Sequence, residues 1–188
     1  RKIEKVYNGF TKIANTQKTF KKRKKKYLLF LGRIEQRKNI ERIIKAFDIL
    51  KTSKVYDGQL VLAGKAGYGF EKIKKTIDEI EFSKDVILKG YVSDEERFSL
   101  IENADLFLFP SLCEGFVLPI LEAQSAKTPV ITSDQGPMDE VAGNKNILVN
   151  PYEIGSIVKV SREILKDIRK RKKIIESGLK NVERFSWE

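Results

Sequence analysis

The sequence contains no histidine and a single cysteine, Cys113, in 188 residues. Without histidine there is no Ser-His-Asp triad, no Cys-His pair and no histidine-ligated metal site. One cysteine cannot close an internal disulfide, so nothing marks an oxidising compartment. No apolar run approaches the roughly 18 residues of a membrane span, and the first residues are basic and polar, unlike a secretory signal. The expectation is a soluble, cytoplasmic domain. With 41% hydrophobic residues, the chain has material for one sizeable core, and two independent domains would be cramped.

Acidic residues are also scarce relative to basic ones, 26 against 37, which leaves a formal net charge of +11. Nearly all of that excess lies in residues 1–26, where eleven basic residues face one acid, Glu4; the remainder carries only +1. Lys21 to Lys26 read either as a patch for nucleic acid or an anionic membrane surface, or as a solvated linker ahead of the first core strand. No aromatic residues alternate with these lysines, which counts against a base-stacking surface, and no nucleic-acid partner is expected.

From Tyr27 onward one pattern repeats: a short apolar run, a glycine or turn, then an amphipathic segment. The runs are Tyr27 to Leu31, Leu60 to Ala63, Val86 to Leu88, Leu106 to Phe109, Val130 to Thr132 and Ile147 to Val149. Runs this short and continuous fit strands buried on both faces of a parallel sheet. Ile40, Ile43, Ile44, Phe47 and Leu50 fall at helical spacing, with Asn39 placed to cap that helix. Segments 70–81, 94–102 and 118–126 fill the next gaps. Beyond Pro151 the chain turns helical and basic, with Ile154, Ile157, Val158, Ile164 and Leu165 as candidate buried positions. The alternation predicts an α/β fold, a Rossmann-like doubly wound parallel sheet of six strands over residues 27–188, preceded by the basic arm 1–26.

Ligands of such sheets bind outside the carboxyl ends of the strands. The residues directly after the apolar runs are Gly32-Arg33, Gly64-Lys65, Gly90-Tyr91, Pro110-Ser111 and Ser133-Asp134. This chemistry suits an anionic ligand that also carries hydroxyls. The segment Glu114-Gly115-Phe116-Val117-Leu118-Pro119-Ile120-Leu121-Glu122 says most. Pro119 suits the first turn of a helix beginning near Leu118, and the free N–H groups of residues 116–118 would then form an anion site. Glu114 precedes that helix end and Glu122 lies about one turn inside. Two carboxylates beside a phosphate site make sense when each faces neutral hydroxyls, as in a ligand with a diol, a diphosphate and a second diol: a nucleotide sugar. The alternative is a first-turn acid at Glu122 stabilised by the helix dipole, with Glu114 a solvated loop acid. Arg33 and Lys38 flank the first turn and can reach an anion at the rim, or can be ordinary surface cations. Gly64-Lys65-Ala66-Gly67-Tyr68-Gly69 follows neither the P-loop nor the dinucleotide order. Cys113, beside Glu114, is expected to pack as a small apolar residue, and Trp187 to pack as well.

The string Glu114 to Glu122, two glutamates separated by seven residues, resembles the signature of retaining nucleotide-sugar glycosyltransferases built from two Rossmann-like domains, the GT-B fold. Lys5-Val6-Tyr7-Asn8-Gly9 is similar to the family's interdomain connection, Gly32-Arg33 with Lys38-Asn39 to its phosphate-binding pair, and Leu60 to Gly69 to its second strand and loop. Ala126 to Ser133, Glu140-Val141-Ala142-Gly143, Asn150-Pro151 and the closing Phe185-Ser186-Trp187-Glu188 resemble it too. Arg37-Lys38-Asn39 and Gly64-Lys65 with Gly67 look most like the mannosyltransferase branch.

The resemblance implies a hexosyltransferase acting with retention in cell-surface polysaccharide or glycolipid synthesis. Its substrates would be GDP-mannose or a UDP-sugar and a saccharide or lipid-linked acceptor, with no cofactor and no metal. It also implies that Arg33 and Lys38 neutralise the donor diphosphate. Glu122 would hold the ribose diol, and Glu114 the hydroxyls of the transferred sugar and positive charge near its anomeric carbon. The backbone of Gly32 and the N–H groups of Phe116, Val117 and Leu118 would face the diphosphate, and Gly90, Tyr91 and Val92 the base. An acceptor-binding domain outside this chain would supply the other wall of the cleft, so the chain alone is expected to transfer no sugar. The basic arm is expected to touch an anionic membrane at its inner face, if it has a partner. Three positions depart from the family pattern. Val117 and Lys127 stand where glycine is common, and Asp139 where proline is. A left-handed backbone at Lys127 would cost about 1 kcal/mol. The rival functions are a non-catalytic nucleotide-binding domain, a basic-arm nucleic-acid binder, and a nucleotide-sugar epimerase or phosphorylase.

Overall fold

A computed structural model describes residues 8–10, 25–185 and 187, with the side chain of Asn146 excepted. The expected connection Lys5-Val6-Tyr7, the basic arm as far as Lys24, and Ser186 and Glu188 lie outside the described residues. Among the described residues six parallel strands form one sheet: β1 (Tyr27–Leu31), β2 (Gln59–Ala63), β3 (Val86–Gly90), β4 (Leu106–Phe109), β5 (Val130–Ser133) and β6 (Leu148–Val149), in the order β3-β2-β1-β4-β5-β6. Seven helices among the same residues alternate with or follow them: α1 (Ile40–Thr52), α2 (Phe70–Asp78), α3 (Asp94–Glu102), α4 (Leu118–Ser125), α5 (Pro137–Ala142), α6 (Ile154–Lys166) and α7 (Ile168–Val182). Leu29 lies between Val61 of β2 and Phe107 of β4, so the second through fifth residues of β1 are buried among neighbours on all sides.

The apolar pattern locates the core. Ile40, Ile43, Ile44, Phe47 and Leu50 of α1 are buried, as are Ile157, Val158 and Ile164 of α6, while Ile154 and Leu165 pack partly against the same cluster. Phe30, Phe107 and Phe109 stack across β1 and β4 at ring separations of 6.1 and 5.9 Å. The expectation of full burial fails at β3, where Ile87 and Leu88 are 36% and 40% exposed. This strand is the sheet's edge, and a run of apolar residues does not reveal which strand takes that place. The predicted helix over 70–81 stops at Asp78, the one over 118–126 at Ser125, and Ile147 belongs to a short 3-10 turn, Lys145–Ile147, ahead of β6. Lys127 is left-handed at φ 60°, as a residue closing α4 in place of glycine must be.

The tails of β1 and β2 approach so closely that a Cβ on Gly64, at φ +143°, would sit 1.9 Å from the Gly32 carbonyl oxygen. Beyond them, Ile34 N–H donates to the Lys65 carbonyl (2.9 Å), Gly67 N–H to that of Ile34 (2.9 Å) and Gln36 N–H to that of Tyr68 (3.0 Å). The 64–69 loop is therefore zipped onto the segment after β1, its backbone committed to that pairing.

Asn39 corrects the capping expectation. It precedes α1 at φ 63°, ψ 29°, not in the extended conformation that aims a side chain at the first helical N–H groups, and it makes no cap bond. Its buried amide instead donates to the carbonyls of Pro110 (2.9 Å) and Pro151 (2.7 Å), tying the ends of β4 and β6 to the start of α1. The Asn39→Ala variant leaves both carbonyls without this partner and is expected to lose about 2 kcal/mol of unfolding free energy in urea titrations, the scale of two buried hydrogen bonds.

Candidate functional site

The strand order runs 3-2-1 in one direction from the middle of the sheet and 4-5-6 in the other. The chain leaving β1 crosses to one side and the chain leaving β4 to the other, so a crevice opens between their carboxyl ends. Arg33, Arg37 and Lys38 lie on the segment leaving β1, in the loop and 3-10 turn Gln36–Lys38 before α1; Glu114 and residues 116–118 lie on the segment leaving β4. Leu112 N–H donates to the Arg37 carbonyl (2.9 Å), which joins the two walls through backbone.

Glu114 and Lys38, both singled out from sequence, form an ion pair at 2.5 Å through Oε1, and Arg37 Nη1 holds the other oxygen, Oε2, at 2.8 Å. The Glu114 side chain is only 9% exposed. Burial pushes its pKa up, yet the hydrogen bonds from Lys38 and Arg37 outweigh burial and hold the carboxyl below its ordinary value. Ser111 Oγ, fully buried, lends the carboxylate some stabilisation without closing a hydrogen bond of ordinary geometry. The Lys38 ammonium also lies 5.1 Å from the centre of the Phe109 ring.

Glu122 is buried one turn inside α4 and its Oε1 accepts from Arg97 Nη2 of α3, while its Oε2 and the Arg97 Nε are buried with no hydrogen-bond partner among the described residues. Desolvation raises the Glu122 pKa, against the opposing pull of the Arg97 charge. The reading of Glu122 as a first-turn dipole acid omits this partner. Between the two carboxylates, α4 begins at Leu118 with Pro119 in its first turn, and its first N–H groups have no intrahelical acceptor. Val117 precedes it at φ −113°, a conformation open to any residue, with its side chain buried in the core. Phe116 packs edge-on against Phe185 at 5.9 Å, and Leu118 is partly exposed.

Arg33 is exposed and has no ion-pair partner among the described residues, and its methylenes cover Gly67. Gly32 extends β1 by donating to the Ala63 carbonyl (3.0 Å). Gly90 and Tyr91 lie at the edge of the sheet, two strands from β1, with the Gly90 carbonyl accepting from Gly64 N–H (2.7 Å). The exposed Tyr91 ring carries the Lys65 ammonium 5.0 Å from its centre, and Val92 packs partly against the core. Cys113 corrects the packing expectation: it is exposed, and its carbonyl accepts from Arg37 at 2.6 Å. Trp187 is likewise 73% exposed, although its ring lies where a Cβ on Gly9 would fall. No group of three His, Cys, Asp or Glu side chains that could hold a metal occurs among the described residues, and no helix there is long and apolar enough to cross a membrane.

Two residues of the site escape sequence reading. Arg37 stands beside Lys38 in plain view, with Glu35 close in sequence, but its partners across the crevice, Cys113 and Glu114, lie 76 and 77 residues away. Arg97 sits in an acidic first turn, Asp94-Glu95-Glu96, that reads as a solvated helix start. The Arg97→Ala variant leaves Glu122 buried without counter-charge, and near neutral pH it is expected to lose about 3 kcal/mol of stability, as for a broken buried ion pair. A carboxyl whose pKa is raised by folding keeps its proton longer in the native state, so stability falls as pH climbs from the ordinary carboxyl value through the raised one. The deficit is accordingly smaller in mildly acidic solution, which urea unfolding across pH measures.

A sequence profile for glycosyl transferases group 1 matches residues 11–181. O-antigen chain mannosyltransferase B of Escherichia coli is 32% identical over 162 residues, covering 86% of this chain and 42% of that protein. Among solved structures, the C-terminal domain of a glycosyl transferase group 1 family protein from Francisella tularensis matches with a TM-score of 0.72 at 24% identity, over 87% of each chain. The Anabaena protein HepE, solved in complex with UDP and glucose, matches with a TM-score of 0.74 at 20% identity, over 85% of this chain and 44% of that one. This chain thus spans less than half the length of the Escherichia coli relative. With the profile covering most of the sequence and the six-stranded parallel sheet in agreement, the chain belongs to the glycosyl transferases group 1 family, as a Rossmann-like domain of the GT-B type.

Proposed function

We propose that this domain binds a nucleotide-diphosphate sugar, with GDP-mannose the donor, and that together with an acceptor-binding domain it transfers the hexosyl group with retention. The observation that carries the reading is the pair of cation-held carboxylates, Glu114 and Glu122, on either side of the α4 N-terminus at the crevice between β1 and β4. In this reading the diphosphate lies over the N–H groups of Phe116, Val117 and Leu118 and the backbone of Gly32, where the helix dipole favours negative charge. Arg33, which has no ion-pair partner among the described residues, and Lys38 neutralise the diphosphate and stabilise the charge that develops on it as the glycosidic bond breaks. Glu122 receives the ribose hydroxyls. Glu114 receives hydroxyls of the sugar and offsets positive charge at the anomeric carbon. Gly90, Tyr91 and Val92 meet the base, and no metal or other cofactor takes part.

The choice of mannose rests on the Escherichia coli mannosyltransferase relative, and that of an O-antigen or other cell-surface saccharide as acceptor rests on the same likeness. Peripheral contact of the basic arm with an anionic, inner membrane face, in the cytoplasm, fits a lipid-linked acceptor.

Calorimetric titration of the chain tests the reading. GDP is expected to bind more tightly than single-stranded DNA, and Glu122→Gln is expected to weaken GDP about tenfold, the scale of one lost charge-assisted hydrogen bond. Tight DNA binding with a steep salt dependence and no response to GDP would contradict it.

A further inference from the structure

The proposed function gives Lys38 two tasks. In the ligand-free protein its ammonium is committed to Glu114 Oε1, and the same ammonium is to neutralise a diphosphate. Its three donors can be shared, but one positive charge divided between a carboxylate and a diphosphate leaves both anions under-compensated. Glu114 is too enclosed to be left as a lone anion, since a buried carboxylate without a partner is strongly disfavoured.

Arg37 resolves the conflict. Its guanidinium is a rigid planar fork with several donors, and three acceptors are engaged: Nη1 donates to Glu114 Oε2 (2.8 Å) and to the Cys113 carbonyl (2.6 Å), and Nη2 to Glu35 Oε1 (2.8 Å). Its own carbonyl accepts from Leu112 N–H. Arg37 therefore grips the loop before α4 by both backbone and side chain, at residues 112, 113 and 114, from a turn anchored next door by Asn39. Lys38 has no such framework.

We propose that Arg37 is the positioning residue of Glu114, holding this carboxylate ionised and oriented when Lys38 turns away to the donor diphosphate. The inference rests on the roles proposed above for Lys38 and Glu114. Each carboxylate oxygen has two acceptor directions. Arg37 occupies one on Oε2, so departure of Lys38 leaves three for the sugar hydroxyls without leaving the charge unpaired. The charged and polar groups that face Glu114 are Arg37, Lys38 and the Ser111 hydroxyl, with Glu35 on the far side of Arg37. The Arg37 pKa is raised chiefly by its hydrogen bond to Glu114, so the guanidinium remains charged throughout.

The test is the titration of the Glu114 carboxyl, followed by carbon NMR in chain labelled at glutamate and assigned with Glu114→Gln. In the wild type the carboxyl titrates below the ordinary range and stays ionised near neutral pH when GDP is added. Arg37→Ala and Arg37→Gln are expected to move the titration upward, and further upward with GDP bound, whereas Arg37→Lys, which keeps the charge, restores most of the wild-type behaviour. GDP affinity itself is expected to change no more than about threefold, because Arg37 contacts Glu114 and not the phosphates. An unmoved Glu114 titration in both neutral variants, with or without GDP, overturns the inference. So does a tenfold or greater loss of GDP affinity in Arg37→Lys, which would make Arg37 a phosphate ligand. If GDP fails to bind the wild type, the proposed function falls, while an upward move of Glu114 in the neutral variants still establishes the Arg37–Glu114 linkage.

Discussion

The reversal of strand order between β1 and β4 places the chain segments leaving these neighbouring strands on opposite walls of one crevice. The rest of the site depends on this. Backbone emerging from β1 carries cations, Arg33, Arg37 and Lys38; backbone emerging from β4 carries Glu114 and then α4. Opposite charges from segments more than seventy residues apart meet because the sheet register sets Leu29 beside Phe107 and so aligns the ends of the two strands. Asn39 fixes the alignment with two buried hydrogen bonds, one to the end of β4 and one to the turn after β6.

Electrostatics then differentiates two glutamates that look equivalent in sequence. Glu114 has two cations on two oxygens and is held ionised despite burial; Glu122 has a single arginine on one oxygen, the other oxygen is enclosed and unpaired, and desolvation dominates. The two environments shift the pKa values in opposite directions, a division that often accompanies a division of labour between carboxylates. Each arginine offsets a charge that folding has removed from water.

Much of this was legible in the sequence. Continuous short apolar runs located all six strands, and β1 and β4 from end to end, because the strands at the centre of a parallel sheet are apolar on both faces. The crevice could be placed because its residues follow those runs directly. What escaped depends on long-range geometry. Nothing local distinguishes Val86 to Leu88 from a central strand, so its edge position and exposed Ile87 were unreadable. Asn39 resembles a helix cap by position, but its left-handed backbone, fixed by the turn before it, redirects the amide to Pro110 and Pro151. Arg37 and Arg97 are two cations among 37, and only the folded chain reveals their carboxylate partners. Cys113 departs from the packing expectation for the same reason: it belongs to a loop held at the crevice by its carbonyl, which leaves the side chain in solvent.

The central claim is that the crevice between β1 and β4 receives a nucleoside diphosphate, with Arg37 taking over Glu114 from Lys38. A crystal structure of the chain with GDP tests it most directly. The account predicts the diphosphate over the α4 N-terminus within hydrogen-bond reach of Arg33 and Lys38, the Lys38–Glu114 pair opened, and the Arg37–Glu114 pair intact. GDP bound away from this crevice, or bound there with Lys38 still on Glu114 and Arg37 displaced, would contradict it.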